Sequence, residues 1–251
     1  MIGLVAAALA LLGKAEAQPV AGGGDAAALT PEKILLAMKR TYAGCRSYRD
    51  TGEVRTESTT DGGHFGSERP FATAFVRPDR FRFEFTDQGL GERSAKYVVW
   101  VSGDEVRSWW DAKPGVRQPG SVGEALEAAA GVSGGSSVRV PEMLLPTIGG
   151  ESALLLGAER IEDGEDRGVP CLRIRGKSRP TPYTLTMGKR QITVKDESVT
   201  LWIDRTAFLL RKVEQNRTFQ SYREEATTLY SPAINVDVPR GDLAFGVPGN
   251  P

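Results

Sequence analysis

The run Arg80-Phe81-Arg82-Phe83-Glu84-Phe85 puts three aromatic side chains on one side of an extended chain and three charges on the other. Only a strand has this period of two, and so apolar a face must lie against a core or a ligand. Other stretches with strand character fall around 49–58, 70–77, 96–101, 104–110, 156–162, 169–176, 183–194, 198–204, 207–217 and 222–230. Turn sequences such as Asp61-Gly62-Gly63, Arg77-Pro78-Asp79, Ser102-Gly103-Asp104 and Asp204-Arg205-Thr206 separate several of them. Strands joined by short turns pair antiparallel, because parallel pairing needs a long crossover. The expectation is a mainly β chain: a strongly curved antiparallel sheet, or unclosed barrel, of about ten strands.

Helical signals are few. Thr30 is placed to cap a helix beginning at Pro31, with Glu32 at its positive end and Ile34, Leu35, Met38 and Tyr42 at helical spacing up to Gly44. Ser121 is placed to cap a second helix through Ala130. The stretch 131–137 reads as a loop, and a further helical turn is expected to start at Pro141 and to be interrupted at Pro146. These pieces predict a short helical cover on one face of the sheet.

The apolar run at 2–12 is too short to cross a membrane as a helix but has the length of an export-signal core. Ala15-Glu16-Ala17 supplies a small-x-small cleavage pattern, which predicts a signal peptide over 1–17, a flexible Pro-, Gly- and Ala-rich leader over 18–29, and one domain over 30–251. An exported chain is expected in the periplasm or outside the cell. In an oxidising compartment Cys45 and Cys171 can pair, stabilising the fold by roughly 4–5 kcal/mol for so long a loop; the alternative is two separate buried thiols.

Lys and Arg total 32, matching 32 Asp and Glu. This balance gives no basic excess for nucleic acid. His64, the one histidine, sits in a Gly-rich turn where a catalytic triad would have to use it. Gly131-Val132-Ser133-Gly134-Gly135 lacks nucleophile-elbow spacing, and Gly176-Lys177-Ser178 has Cys171 where a phosphate-binding loop begins with Gly. No zinc pattern or other cofactor motif is present in the sequence. The acidic pairs Asp104-Glu105, Asp163-Gly164-Glu165-Asp166 and Asp196-Glu197 fall at turns, where charge is normally solvated; a hydrolase using such carboxylates is the least favoured reading. No enzyme is expected.

The aromatics on expected strands give the functional lead. If the helices close the concave side incompletely, Phe75, Phe81, Phe83, Phe85, Trp100, Trp109 and Trp202, with Met143, Leu144 and Leu145, would line an apolar cavity. An acyl chain suits such a cavity at about 0.8 kcal/mol per buried methylene.

Tyr42-Ala43-Gly44-Cys45-Arg46-Ser47-Tyr48, Phe75-x-Arg77-Pro78-Asp79-Arg80-Phe81, Val99-Trp100-x-x-Gly103-Asp104 and Leu201-Trp202-Ile203-Asp204 together resemble the LolA-like outer-membrane lipoprotein-sorting (carrier) family over roughly residues 31–240. The nearest subgroup carries two such cysteines and the Val132–Ser136 loop. The resemblance implies an unclosed barrel with a helical lid, either helix 31–43 or Met143–Leu145, over a cavity for lipid or lipoprotein acyl chains. It also implies a latch arginine on an early strand, for which Arg55 is the candidate. The expected partners are lipid or lipoprotein acyl chains, with the protein a monomer. The alternative is an exported envelope-assembly or protein-interaction module with no small ligand.

Overall fold

The structure is a computed structural model that describes residues 29–88, 95–145, 154–187 and 190–247. The export signal, most of the leader and Pro146 lie outside the described residues. Six strands come first: β1 (Ser47–Thr60), β2 (Gly63–Val76), β3 (Arg80–Asp87), β4 (Ala95–Ser102), β5 (Glu105–Trp110) and β6 (Lys113–Arg117). A second block follows: β7 (Leu156–Asp166), β8 (Val169–Lys177), β9 (Tyr183–Met187), β10 (Arg190–Val194), β11 (Asp196–Asp204), β12 (Leu210–Thr218), β13 (Tyr222–Tyr230) and β14 (Ala233–Ile234). Helix α1 (Pro31–Gly44) precedes the first block; α2 (Val122–Ala130) and α3 (Ser136–Leu144) lie between the two.

Twelve strands form one antiparallel sheet in the order β6-β5-β4-β3-β2-β1-β13-β12-β11-β8-β7, with β14 added to β1. The first block is thus a simple meander, and the second is joined to it through β1 and β13. Strands β6 and β7 are the two edges, so the sheet does not close. The hairpin β9–β10 stands apart as its own two-stranded sheet, inserted between β8 and β11. The count exceeds the expected one because β6 and β14 are short, weakly patterned additions and the stretch 183–194 folds as two strands, β9 and β10.

The alternation expected for 80–85 holds: Phe81, Phe83 and Phe85 are buried in the core while Arg82 and Glu84 face the other way. Along the same inner face come Tyr48 and Val54 of β1, Phe71 and Phe75 of β2, Val99 of β4, Leu172 of β8, Leu201 of β11, Val213 of β12 and Tyr230 of β13. Burying each large apolar side chain contributes about 1.5–3 kcal/mol. All three helices cover this face with Ile34, Met38 and Tyr42, then Leu126 and Ala129, then Val140 and Leu144. Thr30 accepts the Lys33 N–H, and Ser121 accepts the Glu124 N–H at 3.1 Å, so both expected caps are in place.

Helix α3 starts five residues before the expected Pro141. Gly134 and Gly135 take φ of +63° and +84°, turning the chain sharply out of α2. The buried Ser133 hydroxyl then accepts the Ser137 N–H at 3.3 Å, and Ser137 bonds back to the Leu126 carbonyl at 2.9 Å. What reads as a Gly/Ser loop is a compact corner between two helices.

The cysteines do not pair; both are free and buried. Cys45 belongs to the inner core cluster, whereas Cys171 alternates with Leu172 and Ile174, whose side chains enter that cluster, and so faces the outer side of the sheet. Their thiols donate instead to the carbonyls of Tyr42, at 3.1 Å, and Val169, at 3.3 Å.

Candidate functional site

The inner face changes character along its strands. Inward positions of β1 run Tyr48, Asp50, Gly52, Val54, then Thr56, Ser58 and Thr60. In register beside them on β13 stand Tyr230, Thr228, Ala226, Glu224 and Tyr222, and on β12 Val213, Gln215 and Arg217. Beyond Val54 the helices no longer fill the space above these strands. A cleft of about 900 Å³ opens there, floored by Thr56, Ser58, Gln215, Arg217, Glu224 and Ala226. Its apolar wall comes from Val138 and Met143 of α3, Leu154, Leu185 of the β9–β10 hairpin, and Phe219 with Tyr222, whose rings stack at 4.2 Å. Its charged rim includes Lys39 of α1, Glu127 of α2, and Arg139 and Glu142 of α3. The size falls within the range of small-molecule sites.

A buried carboxylate anchors one side. Glu197 is 1% exposed. It takes five hydrogen bonds: from the Ser178 N–H at 3.0 Å and the Ser178 hydroxyl, from Tyr183 at 2.8 Å, from Gln215 at 2.6 Å and from Arg217 at 3.3 Å. Burial pushes its pKa up, but the bonds from Ser178 and Tyr183 and the nearby Arg217 charge together hold it below its ordinary value. The expectation that Asp196-Glu197 is a solvated turn is therefore corrected for Glu197: its donors come from three separate segments and exclude water. Arg217 also pairs with Glu224 at 3.2 Å. Tyr183 has its pKa pushed up to about 12, first by burial.

The expected cavity residues divide three ways. Met143 lines the cleft. Phe75, Phe81, Phe83, Phe85, Leu144 and Leu145 pack in the core under the helices, away from the cleft. Trp100, Trp109 and Trp202 take the outer face. Trp100 donates to the Leu243 carbonyl at 2.7 Å beneath the C-terminal segment. Trp109 pairs with Val98, which alternates with the inward Val99. Trp202 lies between the Arg173 guanidinium and the Lys212 ammonium and donates to Glu214 at 2.9 Å. The outer face also shelters aromatics locally, Trp100 under the C-terminal segment and Trp202 between Arg173 and Lys212, so aromatic content alone does not tell the two faces apart.

Arg55 also points outward, where it is exposed and pairs with Glu53 and, at 3.6 Å, with Glu68. The arginine that bonds to the helical layer is Arg77, at the end of β2. It donates to the carbonyls of Cys45 at 2.8 Å, Tyr42 at 3.3 Å and Leu144 at 3.4 Å, tying the ends of α1 and α3 together. Its position in Phe75-x-Arg77-Pro78, directly before a turn, was the available signal. Nothing in the alternation marked Thr56, Ser58 or Thr60, because β1 is polar on both faces there.

No group of three or more His, Cys, Asp and Glu with metal-holding geometry occurs among the described residues. No family model matches the chain, and no curated protein does. Solved structures are similar to it at low identity. A LolA superfamily protein from Nitrosomonas europaea is 11% identical, with 87% of this chain and 99% of that one covered and a TM-score of 0.31. A DUF1329 family protein from Desulfovibrio piger is 11% identical, with 85% and 95% covered and a TM-score of 0.37. The MucA/MucB complex of Pseudomonas aeruginosa contains a chain 10% identical, with 86% of this chain and 61% of that one covered and a TM-score of 0.41. Identities of this size leave function to be read from this chain's own residues. The chain's own architecture, an open antiparallel sheet with helices on one face, is the fold class expected from the sequence.

Proposed function

We propose that this chain is an exported, non-catalytic binder or carrier of an amphiphilic ligand, a lipid or the acylated end of a lipoprotein, held in the cleft between the helices and the polar ends of β1, β12 and β13. The observation that carries the reading is the divided lining. Met143, Leu154, Leu185 and Phe219 offer an apolar wall, while Thr56, Ser58, Gln215 and Arg217 offer donors and acceptors opposite it. A purely apolar ligand would leave those polar groups desolvated and unpaired at roughly 1–3 kcal/mol each. A purely polar one would gain nothing from the wall. The aromatic core supports the site from below, and the acyl chain takes the wall in place of the Phe-lined face expected from the sequence.

The test is to purify the protein from its native envelope and identify small molecules released by organic extraction. A stoichiometric acylated molecule, displaced by Leu185→Asp with Phe219→Asp, is the expected result. A protein that carries no amphiphile and binds no fluorescent fatty acid would overturn it.

One observation favours a protein partner as the second reading. Phe65 is 63% exposed near the tip of the β1–β2 ribbon, in register with Ser58 at the cleft floor. That reading expects a stable protein complex lost in Phe65→Ser, with no lipid in the extract.

A further inference from the structure

Five cationic side chains line the cleft, Lys39, Arg69, Arg139, Arg179 and Arg217, against three carboxylates, Glu127, Glu142 and Glu224. Two of the five are already neutralised on the floor. Arg217 is shared between Glu197 and Glu224. Arg69 lies 3.5 Å from Asp87 and reaches Thr56. Glu142 feels the charges of Arg139, on its own helix, and of Lys39, and it also feels the like charge of Glu127. Arg139 of α3 and Arg179, just before β9, have no ion pair within 4.0 Å among the described residues. The Arg179 guanidinium rests over the Tyr183 ring, 4.8 Å from its centre, which orders the side chain without consuming its donors. Tyr183 is itself bonded to the buried Glu197, so this arginine stands on a fixed base.

We propose, resting on the amphiphile reading above, that the polar end of the ligand is anionic, a phosphate- or carboxylate-bearing headgroup recognised by Arg139 and Arg179. A guanidinium offers a planar fork of donors that matches an oxyanion in two parallel bonds. With Glu197 and Asp87 counted, cations and carboxylates around the cleft balance at five each, so recognition rests on the two guanidinium forks that lack an ion pair among the described residues and not on net charge. The two arginines come from separate elements, a helix of the cover and the root of the hairpin, so each side of the cleft contributes one cation.

The experiment compares three monoacyl amphiphiles of one chain length, below their micelle concentrations, on the delipidated full-length protein by calorimetry: anionic lysophosphatidylglycerol, zwitterionic lysophosphatidylcholine and uncharged monoacylglycerol. The expected result is about tenfold tighter binding of the anionic lipid at low salt. The preference shrinks as salt rises, and the affinity ratio falls toward one in R139Q/R179Q. Thermal unfolding of the double variant checks its fold; if it does not fold, the exposed single change R179Q and the salt series carry the decision. Equal affinities for the three lipids would overturn the headgroup assignment and leave the amphiphile reading standing, as would a preference that survives both the substitution and high salt. Binding of inorganic phosphate alone, with affinity equal to the anionic lipid, would assign the arginines to a free anion and overturn the headgroup assignment. Failure of all three lipids to bind would overturn both readings.

Discussion

The two ends of the sheet's inner face are built on the same strands and behave oppositely. Where β1 carries Tyr48 and Val54, neighbouring strands bring Phe71, Phe75 and Tyr230, and three helices close over them. Where β1 carries Thr56, Ser58 and Thr60, its neighbours bring Glu224, Gln215 and Arg217, and the space stays open. On one side β1 pairs with β2 without a break from Ser47 to Thr60, while on the other its partner changes from β14 at Tyr48 and Arg49 to β13 from Gly52 onward. Two buried carboxylates repeat the contrast. Asp50, 2% exposed at the packed end, accepts from Tyr48 at 3.0 Å and from the Ser231 N–H at 2.7 Å, and burial pushes its pKa up to about 7. Glu197 beside the cleft is as deeply buried but has five donors, and its pKa goes down.

The largest effect should come from emptying the packed end. Phe83→Ala removes a ring enclosed on all sides and should cost about 3–5 kcal/mol in urea unfolding. A loss below 1 kcal/mol would mean that the core is not packed as described. Glu197→Ala leaves Arg217, Gln215 and Tyr183 without their shared acceptor. It should cost about 3 kcal/mol or more and raise hydrogen exchange across 183–194, since the hairpin root is tied there.

Asp50 sharpens the contrast through pH. Between about pH 4 and pH 7 the folded protein keeps a proton on Asp50 that the unfolded chain has released. Its contribution should therefore fall as pH rises through that window, by up to roughly 4 kcal/mol, and be flat above it. Asp50→Asn should abolish that slope in a series of denaturation curves.

Gly134 marks the border between the two ends. Its φ is +63°, and an added Cβ would stand 2.7 Å from Val54 Cγ1. Gly134→Ala should cost about 1–3 kcal/mol, visible as a lower thermal midpoint. The smallest effect on stability belongs to the open end. Tyr222→Ala loses one stacked ring pair, about 0.5–1.5 kcal/mol, yet should weaken amphiphile binding severalfold. Equal damage to stability from Tyr222 and Phe83 would erase the distinction between the ends.

Much of the packed end was legible because its pattern is strong. The Phe81–Phe85 alternation and the Thr30 and Ser121 caps each express one local rule, and the structure obeys them. The cleft was not legible for the opposite reason. Thr56, Ser58 and Thr60 alternate with Arg55, Glu57 and Thr59, so neither face of that stretch announces itself. Trp100 and Trp202 misdirected because an outer face covered by the C-terminal segment, or by Arg and Lys stems, accepts an indole as readily as a core does. Strand β6, with Pro114 and Gly115, follows edge-strand chemistry and has no apolar period to detect.

Strand β1 sits at the middle of the sheet between the next strand in the chain and almost the last one. A chain growing from its N-terminus can zip β1 through β6 as successive local hairpins, but the other flank of β1 stays bare until residues 222–230 exist. Such a flank is a sticky edge for any passing strand, and its closure spans most of the sequence, the kind of non-local contact that makes folding slow. The cleft floor straddles this last seam. A molecule ending before residue 222 therefore has the meander of β1 through β6 but lacks the β13 half of the cleft floor, Glu224 and Ala226.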